Sequence, residues 1–283
     1  MTSNRRRIDA HQHFWKTARG DYGWLTPELK PLYRDFLPSD LAPLLKEHGI
    51  EGTVLVQAAP TIAETEYLLS LADQAPFIKG VVGWVDFEAK EASQQIERLS
   101  KHRALVGIRP MIQDIPDDAW MLKPELTPAF SALEHRSLTF DALTLPRHLQ
   151  HLLKLLDCHP TLRVVIDHGS KPDIRSGEFS GWASDIAALA KNTSAYCKLS
   201  GLVTEAADDW TVDDLKPVVD HLLETFGPKR LIWGSDWPVC TLAAGFADWV
   251  SATEHLLSSL TTNEVDHVWY QNAIEAYQLD LQR

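Results

Sequence analysis

Arg7-Ile8-Asp9-Ala10-His11-Gln12-His13-Phe14-Trp15 reads as a short apolar strand that ends in two histidines one residue apart. Side chains alternate along a strand, so His11 and His13 leave it on one face, close enough to grip one metal ion or one carbonyl oxygen. The same design, an apolar run closed by a polar residue, returns along the whole chain. It is seen in Gly52-Thr-Val-Leu-Val-Gln57, Ile78-Lys-Gly-Val-Val-Gly-Trp84-Val-Asp86, Leu105-Val-Gly-Ile-Arg109 and Leu138-Thr-Phe-Asp141. It is seen again in Arg163-Val-Val-Ile-Asp167-His168, Ala195-Tyr-Cys-Lys198 and Arg230-Leu-Ile-Trp-Gly-Ser-Asp236. Each run is rich in β-branched or aromatic residues, as strands are.

Amphipathic helical patterns separate these runs, at about residues 41–48, 62–73, 90–101, 127–134, 147–158, 181–191 and 212–226. Ser39-Asp40 caps the first, and Gly49 stops it. A closing helix is expected at 246–260 and a last one at 262–277, while 15–38, rich in Pro, Trp and Tyr, reads as a long loop. Nearly continuous apolar strands alternating with helices mean a parallel sheet covered on its faces. Eight such units predict an α/β chain closed into a (β/α)8 TIM barrel, as a single domain over residues 1–283. Neither a Gly-x-Gly-x-x-Gly nor a P-loop sequence is present, so no nucleotide or other organic cofactor is indicated.

Composition narrows the function. With 45% hydrophobic and 23% charged residues, the chain has the makeup of a globular protein with a substantial core. A formal charge of −12 opposes nucleic-acid binding, which depends on clustered Lys and Arg. No apolar run is long enough for a membrane span, and the basic start lacks an apolar segment behind it, so a cytoplasmic protein is expected. A homo-oligomer is left open. The three cysteines are scattered, which argues against disulfides or a structural zinc site, although Cys240 follows a turn near a strand end.

In such a barrel the active site is built at the C-terminal strand ends. The residues there are His11 and His13, Gln57, Trp84 and Asp86, Arg109, Asp141, His168, Lys198 and Asp236. The other nine of the twelve histidines lie in helical stretches, helix ends or loops and are read as structural or solvated.

Four motifs together resemble the amidohydrolase superfamily: Asp-Ala-His11-Gln-His13-Phe-Trp, Asp-His168-Gly-Ser-Lys-Pro, Cys-Lys198-Leu-Ser-Gly-Leu-Val-Thr-Glu and Gly-Ser-Asp236-Trp-Pro. More narrowly, they are similar to its family 2 branch of lactonases, including the L-fuconolactonase and L-rhamnonolactonase type. That resemblance implies hydrolysis of a sugar-derived aldono-1,4- or 1,5-lactone to the aldonic acid. Asp236 would activate water while His11, His13 and His168 polarise the carbonyl. His11, His13, His168 and Asp236 are also the candidate ligands of a single divalent ion such as Zn2+, with metal-free hydrolysis equally open. Without a metal the imidazoles must carry charge to serve as the electrophile. Two-metal members carry a bridging Lys or Glu on strand four and a His on strand five, whereas Arg109 and Asp141 stand here, so a binuclear centre is not expected. Gln57, Arg109, Asp141 and Lys198 are candidate contacts for substrate hydroxyl or carboxylate groups, and Trp15, Trp84 and Trp237 for the face of a sugar ring. The alternatives are a lactonase acting on a pyrone or muconolactone dicarboxylate, and a zinc-dependent decarboxylase of the same superfamily.

Overall fold

The computed structural model describes residues 6–282. Eight strands run in the order expected: β1 (Ile8–Gln12), β2 (Gly52–Val56), β3 (Ile78–Gly83), β4 (Leu105–Ile108), β5 (Thr139–Ala142), β6 (Val164–Ile166), β7 (Tyr196–Leu199) and β8 (Leu231–Trp233). Each pairs in parallel with the next. Just past the ends of β1 and β8 the chain closes on itself. Asp236 N–H donates to His11 O and His13 N–H to Trp237 O, both at 2.7 Å.

The covering helices are α1 (Pro38–Glu47), α2 (Ile62–Gln74), α3 (Ala92–Leu99), α4 (Thr127–Arg136), α5 (Leu149–Cys158), α6 (Ser180–Asn192), α7 (Leu202–Glu205), α8 (Val212–Phe226), α9 (Phe246–Leu256), α10 (Thr262–Asp266) and α11 (Asn272–Tyr277). Pro38, rather than Ser39, opens α1, since proline suits the first helical position, and Asp40 reaches back to accept Leu37 N–H at 2.8 Å. The last helix is interrupted, because His267–Gln271 is wound as a π-helix between α10 and α11. No described helix is long and apolar enough to cross a membrane.

Two apolar layers result. The larger lies between the sheet and its helices. The smaller joins Ile8, Ala10, Val54, Val56, Val82, Val106, Val165 and Ile232 to Tyr270, Ala273, Ala276 and Tyr277. Side chains from six strands can meet one another only inside the barrel, so the C-terminal helices plug its lower end.

Strand β1 departs from simple alternation. Asp9 pairs with Thr53, yet Gln12 pairs with Leu55, so three steps on β1 face two on β2. Such a bulge re-aims side chains. It lets Ala10 join the interior layer while His11 and His13 still turn together into the mouth above it.

Candidate active site

The two β1 histidines meet the carboxylate from the end of β8. Asp236 Oδ1 lies 3.3 Å from His13 Nε2 and 3.6 Å from His11 Nε2. His13 Nδ1 is 2.8 Å from Val56 O. A carbonyl only accepts, so that nitrogen carries the proton, and the neutral ring turns a lone pair towards Asp236. Lone pair facing carboxylate is relieved by a proton or a cation between them. The site is thus built to hold positive charge at that point.

His168 completes the wall, its ring 4.5 Å from that of His11. It is held through Nδ1 by Ser200 Oγ at 2.8 Å. Two glycines of the motifs make room. A Cβ on Gly234 would stand 2.6 Å from His11 Cβ, and one on Gly201 would stand 2.6 Å from His168 Nδ1. Asp9, fully buried, ties the two ends of the barrel seam together. It accepts the backbone N–H of Ser235 at 2.8 Å and of His11 at 3.1 Å, and the Ser235 hydroxyl at 2.5 Å. Burial pushes its carboxyl up to about 7.

Beneath the histidines lies an ion cluster. Lys198 Nζ, fully buried, reaches Asp141 Oδ2 at 2.6 Å, Asp167 Oδ1 at 2.9 Å and His11 Nδ1 at 3.2 Å. Arg109 Nη1 donates to Asp167 Oδ2 at 3.2 Å and lies 3.3 Å from His11 Nε2, while its Nη2 donates to Gln57 O. From α11, Tyr277 hydroxyl adds a hydrogen bond to Asp141 at 2.8 Å.

Burial, reinforced by the Lys198 charge, lowers His11 well below the usual imidazole range. Burial likewise lowers His168 to about 4. Both rings are therefore neutral near pH 7. For His11 and His168 this runs against the charged imidazoles that metal-free hydrolysis would need, since a desolvated ring beside ammonium and guanidinium groups favours its neutral form. Burial works to raise Asp236, but the His168 charge and the His13 and His11 contacts hold its carboxyl below the ordinary range. It is ionised at neutral pH.

The ligand atoms of His11, His13 and Asp236 all lie within 4.8 Å of one another. With His11, the open Nε2 of His13 and the Asp236 carboxylate make a donor set that fits one divalent ion. The set of His11, Asp167 and His168 is equally compact. There, however, the Lys198 ammonium already contacts Asp167 and His11, and its charge opposes a second cation.

A cavity of about 240 Å³ opens over this floor, lined among others by His13, His168, Asp236 and Arg109. Several residues expected to touch substrate lie elsewhere. Asp141 and Lys198 are sealed in the ion cluster, and Gln57 is buried with its amide on Arg109 O at 2.7 Å. Trp15 is fully buried and stacks edge-on at 5.3 Å against Trp24. Trp237 is 4% exposed, against Phe14 and Phe36. Trp84 lies outside the lining, and Asp86 is exposed, capping a turn at Glu88 N–H. Cys240 is buried and its thiol is pushed up by burial, which makes it inert packing. At Asp141, Lys198, Gln57, Trp15 and Trp237 the side chain turned into the interior rather than the cavity.

The lining includes Trp24 and Lys171, neither singled out from sequence, and the buried Asp167 was overlooked beside His168. Asp167 was detectable as the residue that ends Val-Val-Ile. Trp24 had only its place in an aromatic loop after the first strand.

The amidohydrolase family model matches residues 8–279. The chain belongs to the amidohydrolase family. It is 44% identical over 278 residues to the L-fucono-1,5-lactonase of Burkholderia ambifaria, covering 97% of this chain and 96% of that one. It is 34% identical to the L-fucono-1,5-lactonase of Burkholderia multivorans, over 96% of each chain. A crystal structure of an amidohydrolase from Burkholderia multivorans with bound zinc superposes with a TM-score of 0.90 at 34% identity, covering 97% of this chain and 99% of that one.

Proposed function

We propose that this amidohydrolase opens a sugar-derived lactone of the L-fucono-1,5-lactone kind to its aldonic acid. The observation that carries the reading is the ionised Asp236 on the cavity floor, 3.3 Å from His13 and 3.6 Å from His11. That arrangement accepts a proton from water and can give it back. The cavity, at about 240 Å³, suits a small molecule such as one sugar ring. The 44% and 34% identity to two L-fucono-1,5-lactonases supports this choice of lactone.

In this mechanism Asp236 takes a proton from water as the water oxygen bonds to the lactone carbonyl carbon, and the carbonyl π pair moves onto oxygen. Collapse reforms the carbonyl and breaks the ring C–O bond. The departing ring oxygen takes the proton from Asp236, and the new carboxylic acid loses its own proton to solvent. His13, fixed by Val56, orients the Asp236 carboxylate, and His168 walls the carbonyl side. Arg109 is held against Asp167 and Gln57 and keeps the floor rigid. His11, His13 and Asp236 would hold a divalent ion, which when bound supplies Lewis-acid polarisation of the carbonyl.

A dicarboxylate lactone is less suited, because Arg109, the arginine among the cavity's lining residues, is committed to protein acceptors. The test is acid release from a panel of aldonolactones, monitored with a pH indicator with and without a chelator. L-fucono-1,5-lactone is expected to be turned over fastest. Absence of turnover on every lactone would sink the reading and favour the decarboxylase.

A further inference from the structure

His168, Gly169, Ser170 and Lys171 have φ of 54°, 58°, 62° and 51°. Four successive residues, three of them not glycine, thus stand in the left-handed region. L-residues resist that conformation by roughly 1–2 kcal/mol each. Strain of this kind persists only where the surroundings over-determine it, and here every residue is anchored. His168 Nδ1 meets Ser200 Oγ at 2.8 Å, Trp182 Nε1 donates to Gly169 O at 2.6 Å, and Ser170 Oγ meets Thr144 Oγ1 at 2.8 Å. Lys171 N–H closes the turn on His168 O at 2.9 Å. Two members of this turn, His168 and Lys171, line the cavity that Asp236 also lines.

The cavity has two cationic side chains among its lining residues, Arg109 and Lys171. Arg109 is 3% exposed and bound to Gln57 O and Asp167, and its unpartnered Nε is itself shut off from solvent. Lys171 is different. Its side chain is 24% exposed and its ion pair with Glu205 is loose, 3.7 Å from Nζ to Oε1.

We propose that Lys171 is the oxyanion-binding cation of this site. Its ammonium leaves Glu205 to meet the lactone carbonyl oxygen as that oxygen gains charge, and keeps it as one oxygen of the product carboxylate. The strained turn sets both this side chain and His168 in the lining of one cavity. The assignment rests on the lactonase reading given above.

The test uses Lys171→Gly, which removes the ammonium while suiting a backbone already in the left-handed region, and Lys171→Arg, which keeps the charge. Binding of two probes is measured by calorimetry, L-fuconate and the neutral cyclic sugar L-fucose, beside kcat and KM on L-fucono-1,5-lactone and a thermal melt. Lys171→Gly is expected to lower kcat on the order of a hundredfold, the usual loss with one oxyanion donor. It should weaken L-fuconate about tenfold or more and leave L-fucose within twofold. Lys171→Arg should restore part of both losses. Unchanged L-fuconate binding, or equal weakening of both probes, would overturn the assignment, the second result marking a structural role. A wild-type protein that hydrolyses no lactone would instead refute the lactonase reading, whatever the variants bind.

Discussion

Asp236 and the Asp141–Asp167 pair are carboxylates at the ends of barrel strands, all nearly or fully buried, yet they are built for opposite ends. Asp236 faces a cavity and has the His11 and His13 imidazoles as its close side-chain contacts. Asp141 and Asp167 share one buried ammonium, and Arg109 and Tyr277 take up their other lone pairs. A strand-end position therefore does not make a reagent. A carboxylate becomes one when its partners can be neutral and water can reach it, and it becomes a strut when fixed cations surround it.

The largest expected effect tests the reagent. Asp236→Asn removes the base and keeps the shape, so kcat is expected to fall by about a thousandfold or more, with the melting temperature little changed. A variant turning over lactone near the wild-type rate would erase the contrast. The strut is tested by stability. Lys198→Met leaves two carboxylates buried without their shared cation, and a loss of about 3–5 kcal/mol is expected from breaking such a pair. Chemical denaturation reads this, and adding Asp141→Asn should recover part of the loss. If Lys198→Met melted like the wild type, the cluster would not be what holds the barrel's interior together.

The smallest effect concerns a third buried carboxylate, which shapes the cavity wall from outside. Glu64 opens α2, where Thr61 Oγ1 accepts its N–H at 3.0 Å. Its own carboxylate accepts Ala58 N–H at 2.9 Å, and Ala58 O accepts the indole N–H of the cavity-lining Trp24 at 2.7 Å. Burial raises Glu64 to about 8 from an ordinary 4.5. Between those values the folded protein keeps a proton that the unfolded chain has lost, so this group lowers stability as pH rises, by about 1.4 kcal/mol per unit at most. Glu64→Gln should flatten that slope between pH 5 and 8, read as melting temperature against pH. An unchanged slope would show that Glu64 is ionised throughout, a strut like Asp167.

The eight strands were readable because each is a continuous apolar run bounded by turn formers, a pattern that parallel, doubly covered strands require. His11, His13, His168 and Asp236 were readable for a related reason: a polar side chain ending such a run has few places to go except the mouth. The bulge in β1 was not readable. It depends on pairing with β2 and leaves no residue signature in Asp9-Ala10-His11-Gln12. Nor was the outcome at Gln57, Trp15 and Trp237, whose strand-end or rim positions were identified while their side chains packed into neighbours brought from elsewhere in the chain. Tyr277 reaches Asp141 from 136 residues away, and no local pattern announces that.

By itself, then, the amino-acid sequence determined the repeating units, their count, and four polar side chains that meet at the barrel mouth, because periodicity and strand termini are local properties of the backbone. Only the tertiary structure decided which charges stay available. That depends on burial and on partners distant in sequence. Lys198 is consumed by Asp141 and Asp167, whereas Lys171, set in a strained turn at the rim, remains within reach of a substrate.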